Sequence, residues 1–260
     1  RAPANPLDWR KIEWSPNHLR AWRRSFYERI GGHDASLAVC DDHDLVLRTY
    51  LADARIAYIP HCLYFYRVHA AQTVKLQNAG IQSGDWTVYD RYAYRLYEHI
   101  ARKRGLQLID LCGAHAKPEA YRSLDIDERA DIVADLDWTW PLEESTVGVL
   151  RAFDAIEHLR NPVHTMNEAW RVLAPGGVLL IRVPSTDGKG AFCDPTHVSF
   201  WNSLSFRYYT NSAFSRYVPK FQGRFQVARL YDDTSGVVPY VVCELIALKG
   251  DWRPMGEILI

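Results

Sequence analysis

The sequence predicts an α/β protein whose C-terminal part is a doubly wound, mostly parallel sheet with an antiparallel pair at its edge. Three observations predict it. From residue 106 onward, strands alternate with helices, as successive βαβ units require. The run Val178-Leu179-Leu180-Ile181-Arg182-Val183-Pro184 is apolar almost throughout, the mark of a strand covered on both faces. The last two apolar runs, 225–231 and 240–248, are joined by a loop containing Asp232, Asp233 and Gly236 with no helical period, so they read as a hairpin.

The elements follow in order. Residues 1–80 behave as one unit with no βαβ pattern of their own. A short helix opens at Pro16-Asn17, runs to Ile30 and stops at Gly31-Gly32. A second begins near Asp41-Asp42, where carboxylates suit the positive helix end, and continues through Leu45, Leu47 and Leu51. Two short strands are expected at 55–59 and 63–68, separated by Pro60. A helix over 85–104 places Tyr89, Ala93, Leu96, Tyr97 and Ile100 on one face, with Asp85 as cap and Gly105 as terminator. Residues 81–105 thus read as a linking helix and 106–260 as the second domain. Its strands are expected at 106–111, 121–126, 132–134, 147–153 and 178–183, before the final pair. Asn161-Pro162 signals a capped helix carrying Val163, Met166, Trp170 and Leu173 on one side, until Pro175-Gly176-Gly177 breaks it.

Composition narrows the function classes. The 260 residues are 48% hydrophobic, enough for a substantial core, and include 9 Trp and 15 Tyr. Acids and bases balance at 31 each, so no global field recruits nucleic acid or an anionic membrane. No run approaches the roughly 18 apolar residues of a membrane helix. No signal-peptide pattern is visible, and the chain begins with Arg, so a lost targeting segment stays open. Cys40, Cys62, Cys112, Cys193 and Cys243 are widely spaced and form no CxxC pair, which fits reduced thiols in a cytoplasmic protein and gives no zinc site.

The chemistry-bearing residues lie where strands end, the place at which open α/β sheets bind ligands. The first strand ends Asp110-Leu111-Cys112-Gly113, with one glycine rather than a glycine-rich loop. The second ends Asp125-Ile126, where an acid can bind both hydroxyls of a ribose. The third ends Asp135-Leu136, where a carboxylate can read an adenine amino group. After the run 178–184 comes Asp194-Pro195-Thr196-His197, followed by Phe200-Trp201 and Ser205-Phe206: a carboxylate, a hydroxyl, an imidazole and aromatics in about a dozen residues. Phe200, Trp201, Phe206, Tyr208 and Tyr209 can stack on a sugar ring or fill the core.

Residues 106 to about 250 resemble a class I S-adenosylmethionine-dependent methyltransferase. The resemblance rests on 108–113, 123–126, 134–136, Ile156-Glu157-His158-Leu159 and Arg171-Val172-Leu173-Ala174-Pro175-Gly176-Gly177. It implies a seven-stranded Rossmann-like sheet with an antiparallel last pair and S-adenosylmethionine as cofactor, with S-adenosylhomocysteine as product. It places Asp110 and Gly113 beside the methionine, Asp125 on the ribose, Ile126, Asp135 and Leu136 on the adenine, and Ala152 and Phe153 at the pocket wall. The Asp194-to-Phe206 stretch resembles a subgroup found with glycan genes, which implies a sugar or polysaccharide acceptor. His197 is the first candidate base for the acceptor hydroxyl and His158 the second; Asp194 would orient the histidine or bind a metal. No set of metal ligands is predicted, and dependence on a divalent metal stays open.

A second resemblance lies in residues 1–80. Trp22-Arg23-Arg24-Ser25-Phe26, Gly31-Gly32-His33-Asp34, 41–48 and Tyr66-Arg67-Val68-His69 are similar to the C-terminal part of a family 2 glycosyltransferase of the GT-A type. It implies a base role for Asp42 and a metal-diphosphate contact for His69, but the family's nucleotide-binding half should precede this segment. The expected function is O-methyl transfer to a sugar hydroxyl by a methyltransferase fused to a glycosyltransferase remnant. A non-catalytic interaction module, a glycosyltransferase completed by another chain, and a homo-oligomeric state stay open.

Overall fold

The computed structural model describes residues 3, 5–15, 19–65 and 67–250. The chain divides into two compact units, residues 1–96 and 97–260.

The first unit contains α1 (Arg24–Arg29), α2 (Asp41–Leu51), α3 (Thr73–Leu76) and the first part of α4 (Asn78–Lys103). Pro16-Asn17, the expected start of the first helix, lies outside the described residues, and α1 begins at Arg24. It ends where expected, at Gly31 and Gly32, both with positive φ. The two strands expected at 55–59 and 63–68 do not form among the described residues; Tyr66, within the second, lies outside them. A strand needs a partner for its backbone groups, and these segments find none, leaving Tyr58 and Phe65 exposed. α4 begins seven residues before the expected start. Asp85 therefore sits inside the helix rather than capping it, and its Oδ1 lies 2.8 Å from Nδ1 of the buried His43. The other ring nitrogen of His43 donates to the Trp9 carbonyl at 2.9 Å.

The second unit is built on one seven-stranded sheet: β1 (Gln107–Leu111), β2 (Arg122–Asp125), β3 (Ile132–Val133), β4 (Val147–Phe153), β5 (Leu173–Pro184), β6 (Phe225–Asp233) and β7 (Tyr240–Ala247). The order is β3-β2-β1-β4-β5-β7-β6. The first five strands are parallel, and β7 runs antiparallel to both β5 and β6. The expected mixed sheet with an antiparallel last pair is therefore present.

The winding is thinner than expected. Segments 112–121, 126–131 and 134–146 connect the first four strands without a helix among the described residues. Only β4 and β5 are joined through a long helix, α5 (Pro162–Val172). Asn161 caps it by accepting from the His164 N–H at 3.1 Å, with Pro162 at the first helical position. Its buried apolar face is Met166, Ala169 and Val172. Leu173, expected on that face, already belongs to β5 and pairs with Val147. The next register is Val149 with Val178, so Pro175-Gly176-Gly177 forms a bulge inside β5 rather than a break before it. Two further helical turns, α6 (Gly190–Cys193) and α7 (Arg207–Thr210), and the short α8 (Ser212–Ser215) lie between β5 and β6.

The chain order of parallel strands reverses between β1 and β4, which makes a crevice at their carboxyl ends. The core beneath it is apolar: Ile109, Leu124, Leu150, Met166 and Ile181 belong to one buried cluster. Gly148 lets helix and sheet close together. A Cβ there would stand 2.4 Å from the Ala101 Cβ and 3.1 Å from its Cα. Gly148→Ala is expected to cost about 1–3 kcal/mol through overpacking. The lower Tm should be partly restored by adding Ala101→Gly; an unchanged Tm in the single variant would contradict this packing.

Candidate functional site

Two groups of polar residues gather beyond the strand ends. The first begins at β1. Asp110 is 1% exposed, and Arg151, its register partner on β4, donates through Nη1 to both carboxylate oxygens at 2.8 and 2.7 Å. Burial raises the Asp110 carboxyl, and Arg151 draws it back. Gly113 lies flush on this carboxylate: a Cβ would stand 2.6 Å from Asp110 Oδ2. At the end of β2, Asp125 accepts from the N–H of Ala114 and the N–H of Asp127, both at 3.1 Å. One side chain thus ties the turns after β1 and β2 together. Ile126 beside it is 67% exposed, an open apolar surface. Asp135 accepts from the Asp137 N–H at 2.9 Å, and Asp137 in turn accepts from the Arg160 N–H at 2.8 Å. Leu136 and Ala152 are buried in the core cluster, while the Phe153 ring lies 4.1 Å beneath the Arg151 guanidinium.

The second group is made by the turn after β4 and the loop after β5. A single 3-10 turn, Ile156–His158, carries Glu157 and His158. The Glu157 carbonyl accepts from Val198 and Ser199 at 2.8 and 3.0 Å, and the Ser199 hydroxyl donates to the Ile156 carbonyl at 2.8 Å. These bonds seat the 194–199 loop on the turn and bring His197 to His158, with ring centroids 5.0 Å apart. One ligating atom each from Glu157, His158 and His197 lie within 4.8 Å of one another.

The ring partners assign the donor nitrogens. His197 Nδ1 lies 3.0 Å from the Ala191 carbonyl, which can only accept, so Nδ1 donates, and in the neutral ring Nε2 keeps its lone pair. His158 Nδ1 faces the Thr196 carbonyl at 3.3 Å and the Thr196 hydroxyl at 3.1 Å. That hydroxyl spends its own proton on Asp194 at 2.7 Å, so His158 Nδ1 also donates. Asp194 does not hydrogen-bond His197, since its Oδ2 is 4.0 Å from Nε2. It shapes the loop instead, and the Thr196 hydroxyl and amide hold its carboxyl below the ordinary carboxylate range. The orienting group for His197 is the Ala191 carbonyl, a backbone atom with no signature in the sequence.

Glu157 is the residue that sequence reasoning left without a role. It is 2% exposed, and neither carboxylate oxygen has a partner at hydrogen-bonding distance and angle. Burial pushes its carboxyl up to about 7, with Asp154 adding to the rise; nearby backbone N–H groups and His197 hold it back. An acid between Ile156 and His158 in an apolar stretch was the available signal. Cys112 links the two groups: burial, then the charges of Asp125, Glu157 and Asp110, push its thiol up to about 12. Of the aromatics near the loop, Trp201, Phe206 and Tyr209 are buried in the core. Phe200 is exposed and stacks on the exposed Phe192 at 5.1 Å; Tyr208 is also exposed.

The raised Glu157 carboxyl has a pH consequence. Between pH 4.5 and about 7 the folded, metal-free protein holds a proton that the unfolded chain has lost, so stability falls as pH rises through that window. Glu157→Gln should remove this loss, a difference on the order of 3 kcal/mol above pH 7. Parallel pH-dependent urea curves for the two proteins would contradict it.

Part of the chain is similar to known proteins. A family profile described as a methyltransferase domain matches residues 97–181. A Mycolicibacterium smegmatis protein named as a probable S-adenosylmethionine-dependent methyltransferase is 29% identical over 147 residues, 54% of each chain. The chain thus spans about half the length of that curated relative. Among solved structures, a chain of the complex containing the Haloferax volcanii Trm112 methyltransferase activator is 16% identical, with a TM-score of 0.42 over 56% of this chain and 84% of its own. A methyltransferase from Aquifex aeolicus is 14% identical, with a TM-score of 0.36 over 58% and 89%. The name of the curated relative gives S-adenosylmethionine as its methyl donor. Residues 97–181, which carry the first four strands and most of β5, thus match the profile of a methyltransferase domain.

Proposed function

We propose that this domain methylates a hydroxyl group of a sugar or glycan. The observation that carries the reading is the pair His158 and His197, both with Nε2 lone pairs left free by their Nδ1 partners, beside the exposed stack of Phe192 and Phe200. A sugar presents an apolar ring face to aromatics and hydroxyls to the imidazoles.

The residues present fit the cofactor. Asp125, fixed by two backbone N–H groups, would hold the ribose, with Ile126 and Asp135 toward the adenine. Gly113 lets the turn after β1 lie against Asp110, and Arg151 would meet the carboxylate of the methionine part. Bound there, the cofactor supplies an electrophilic methyl group on a sulfonium. The chain contributes alignment and a proton acceptor. His197 Nε2 would take the proton of the acceptor hydroxyl as its oxygen gains the methyl group that the sulfonium would give up. His158 is the second acceptor, and Asp194 keeps Thr196 and the loop in place.

The reading extends to residues 1–80 as a glycosyltransferase-like segment, joined by 81–105 to the methyltransferase domain at 106–260. What supports it is Asp42 at the start of α2, paired to Arg20 at 2.9 Å. Arg20 lines a cavity of about 750 Å³ with Trp22, Phe26 and Arg55, a wall suited to a sugar. The five free cysteines and the lack, among the described residues, of any helix long and apolar enough to cross a membrane support a cytoplasmic setting.

Two measurements test the proposal. S-adenosylhomocysteine should raise the Tm, and Asp125→Ala should weaken its binding by about 10- to 100-fold while leaving the unliganded protein folded. Undiminished binding by that variant would move the cofactor site elsewhere. With an acceptor found by screening oligosaccharides, His197→Ala should lower kcat by about 10²–10⁴-fold. Full activity would remove His197 as the base.

A further inference from the structure

We propose that Glu157, His158 and His197 form a binding site for a divalent transition-metal cation at the acceptor end of the crevice. The three residues offer one ligating atom each, all within 4.8 Å of one another. Metal bonds of roughly 2.0–2.2 Å would bring such atoms closer still, a movement within reach of side-chain rotation.

Three features point to a cation rather than to chance clustering. The first is the unpartnered acid. Glu157 is almost fully buried, and neither carboxylate oxygen has a partner at full hydrogen-bonding distance and angle, the N–H groups of Glu157 and Ala155 lying near without meeting both. A buried polar group without a partner is costly, and natural folds rarely keep one without a reason. A cation is the partner lacking to a carboxylate that has a ring nitrogen of each of two histidines within 4.8 Å. The second is the outer layer. Each imidazole donates its Nδ1–H to backbone or side-chain oxygen, His197 to Ala191 and His158 to Thr196. This is the arrangement that fixes a metal-ligating histidine in the correct tautomer and turns Nε2 inward. The third is rigidity. Glu157 and His158 share one 3-10 turn, and the 194–199 loop that brings His197 is bonded to it through the Glu157 carbonyl. The ligands are therefore held near their positions before any cation arrives. His158 is only half-buried, which leaves a way in.

Two imidazoles and one carboxylate favour zinc, manganese, cobalt or iron(II) over magnesium or calcium, which prefer oxygen alone. Three protein ligands also leave positions open for a hydroxyl or water. A hydroxyl bound to the cation loses its proton more readily. In the metal-loaded protein that acidification replaces the base role of His197, whose Nε2 is then a ligand. The metal site depends on neither the identity of the acceptor nor the base assignment.

The test reads metal binding directly. The untagged 260-residue chain, stripped with chelator, is titrated with Co²⁺ and Zn²⁺ by calorimetry, and Co²⁺ is followed by its visible absorption. The expected result is stoichiometric uptake and a Co²⁺ spectrum typical of nitrogen and oxygen ligands. Affinity should drop by at least about tenfold in His158→Ala and in Glu157→Gln, with the folds checked by circular dichroism. His158→Ala alters a half-buried side chain, so it keeps the test decisive if Glu157→Gln fails to fold. Cys62→Ser with Cys193→Ser controls for the exposed thiols and should leave uptake unchanged. Absence of stoichiometric uptake, or uptake that survives His158→Ala, overturns the proposal. Uptake lost only in the cysteine variant assigns the metal to surface thiols and overturns it equally. A failure here leaves the imidazole-base route intact, and a failure of His197→Ala to slow transfer leaves the metal titration unaffected.

Discussion

The Glu157 carbonyl holds the candidate site together. It accepts two consecutive N–H groups, from Val198 and Ser199, and so fixes where the loop after β5 lands on the turn after β4. The two segments are 40 residues apart in the chain but leave adjacent strands, since β4 and β5 pair along their length. The parallel ladder brings the loops near each other; the shared carbonyl decides their register. His158 and His197 meet only because of that register, and Trp201 is anchored by it through Ser199.

The same residue carries a cost. Its backbone is well satisfied, but its carboxyl is buried without a hydrogen-bonding partner. Such a group is destabilising whenever it is charged, because burial removes the water that would solvate it. The β1 end handles its buried acid differently. Asp110 is equally buried, yet Arg151 from the neighbouring strand neutralises it in bidentate contact. One acid is paired within the fold and the other left open toward two imidazoles. That contrast separates a structural carboxylate from one available to a ligand or a proton.

Much of the sheet was legible. The run Val147 to Phe153 predicted β4 with its observed ends, because a strand buried on both faces is mostly apolar, here interrupted only by Arg151. The hairpin of β6 and β7 was legible from the loop between them, which has no helical period. Errors fell where partners decide. Pro175-Gly176-Gly177 reads as a break but is a bulge, since β4 continues to pair on both sides of it. Segments 55–59 and 63–65 have strand-like composition but no neighbouring strand. Asp85 looks like a helix cap and is instead held inside α4 by His43. The glycine-poor turn after β1 was visible in the sequence, but the missing helices of 112–121, 126–131 and 134–146 were not, because short polar segments read alike as turn or as the start of a helix.

For the site, the sequence by itself determined the residue types and their order: an acid at the end of each of the first strands, and Asp-Pro-Thr-His after the fifth. Strand alternation places such residues at one edge whatever the details, since every parallel strand ends on the same side of its sheet. Only the tertiary structure decided what each one faces. It paired Asp110 with Arg151, gave His197 to the Ala191 carbonyl rather than to Asp194, and brought Glu157 in beside two histidines. The physical reason is range. Periodicity and turn chemistry act over a few residues, whereas hydrogen bonds and buried charges are settled by neighbours that only the closed sheet supplies.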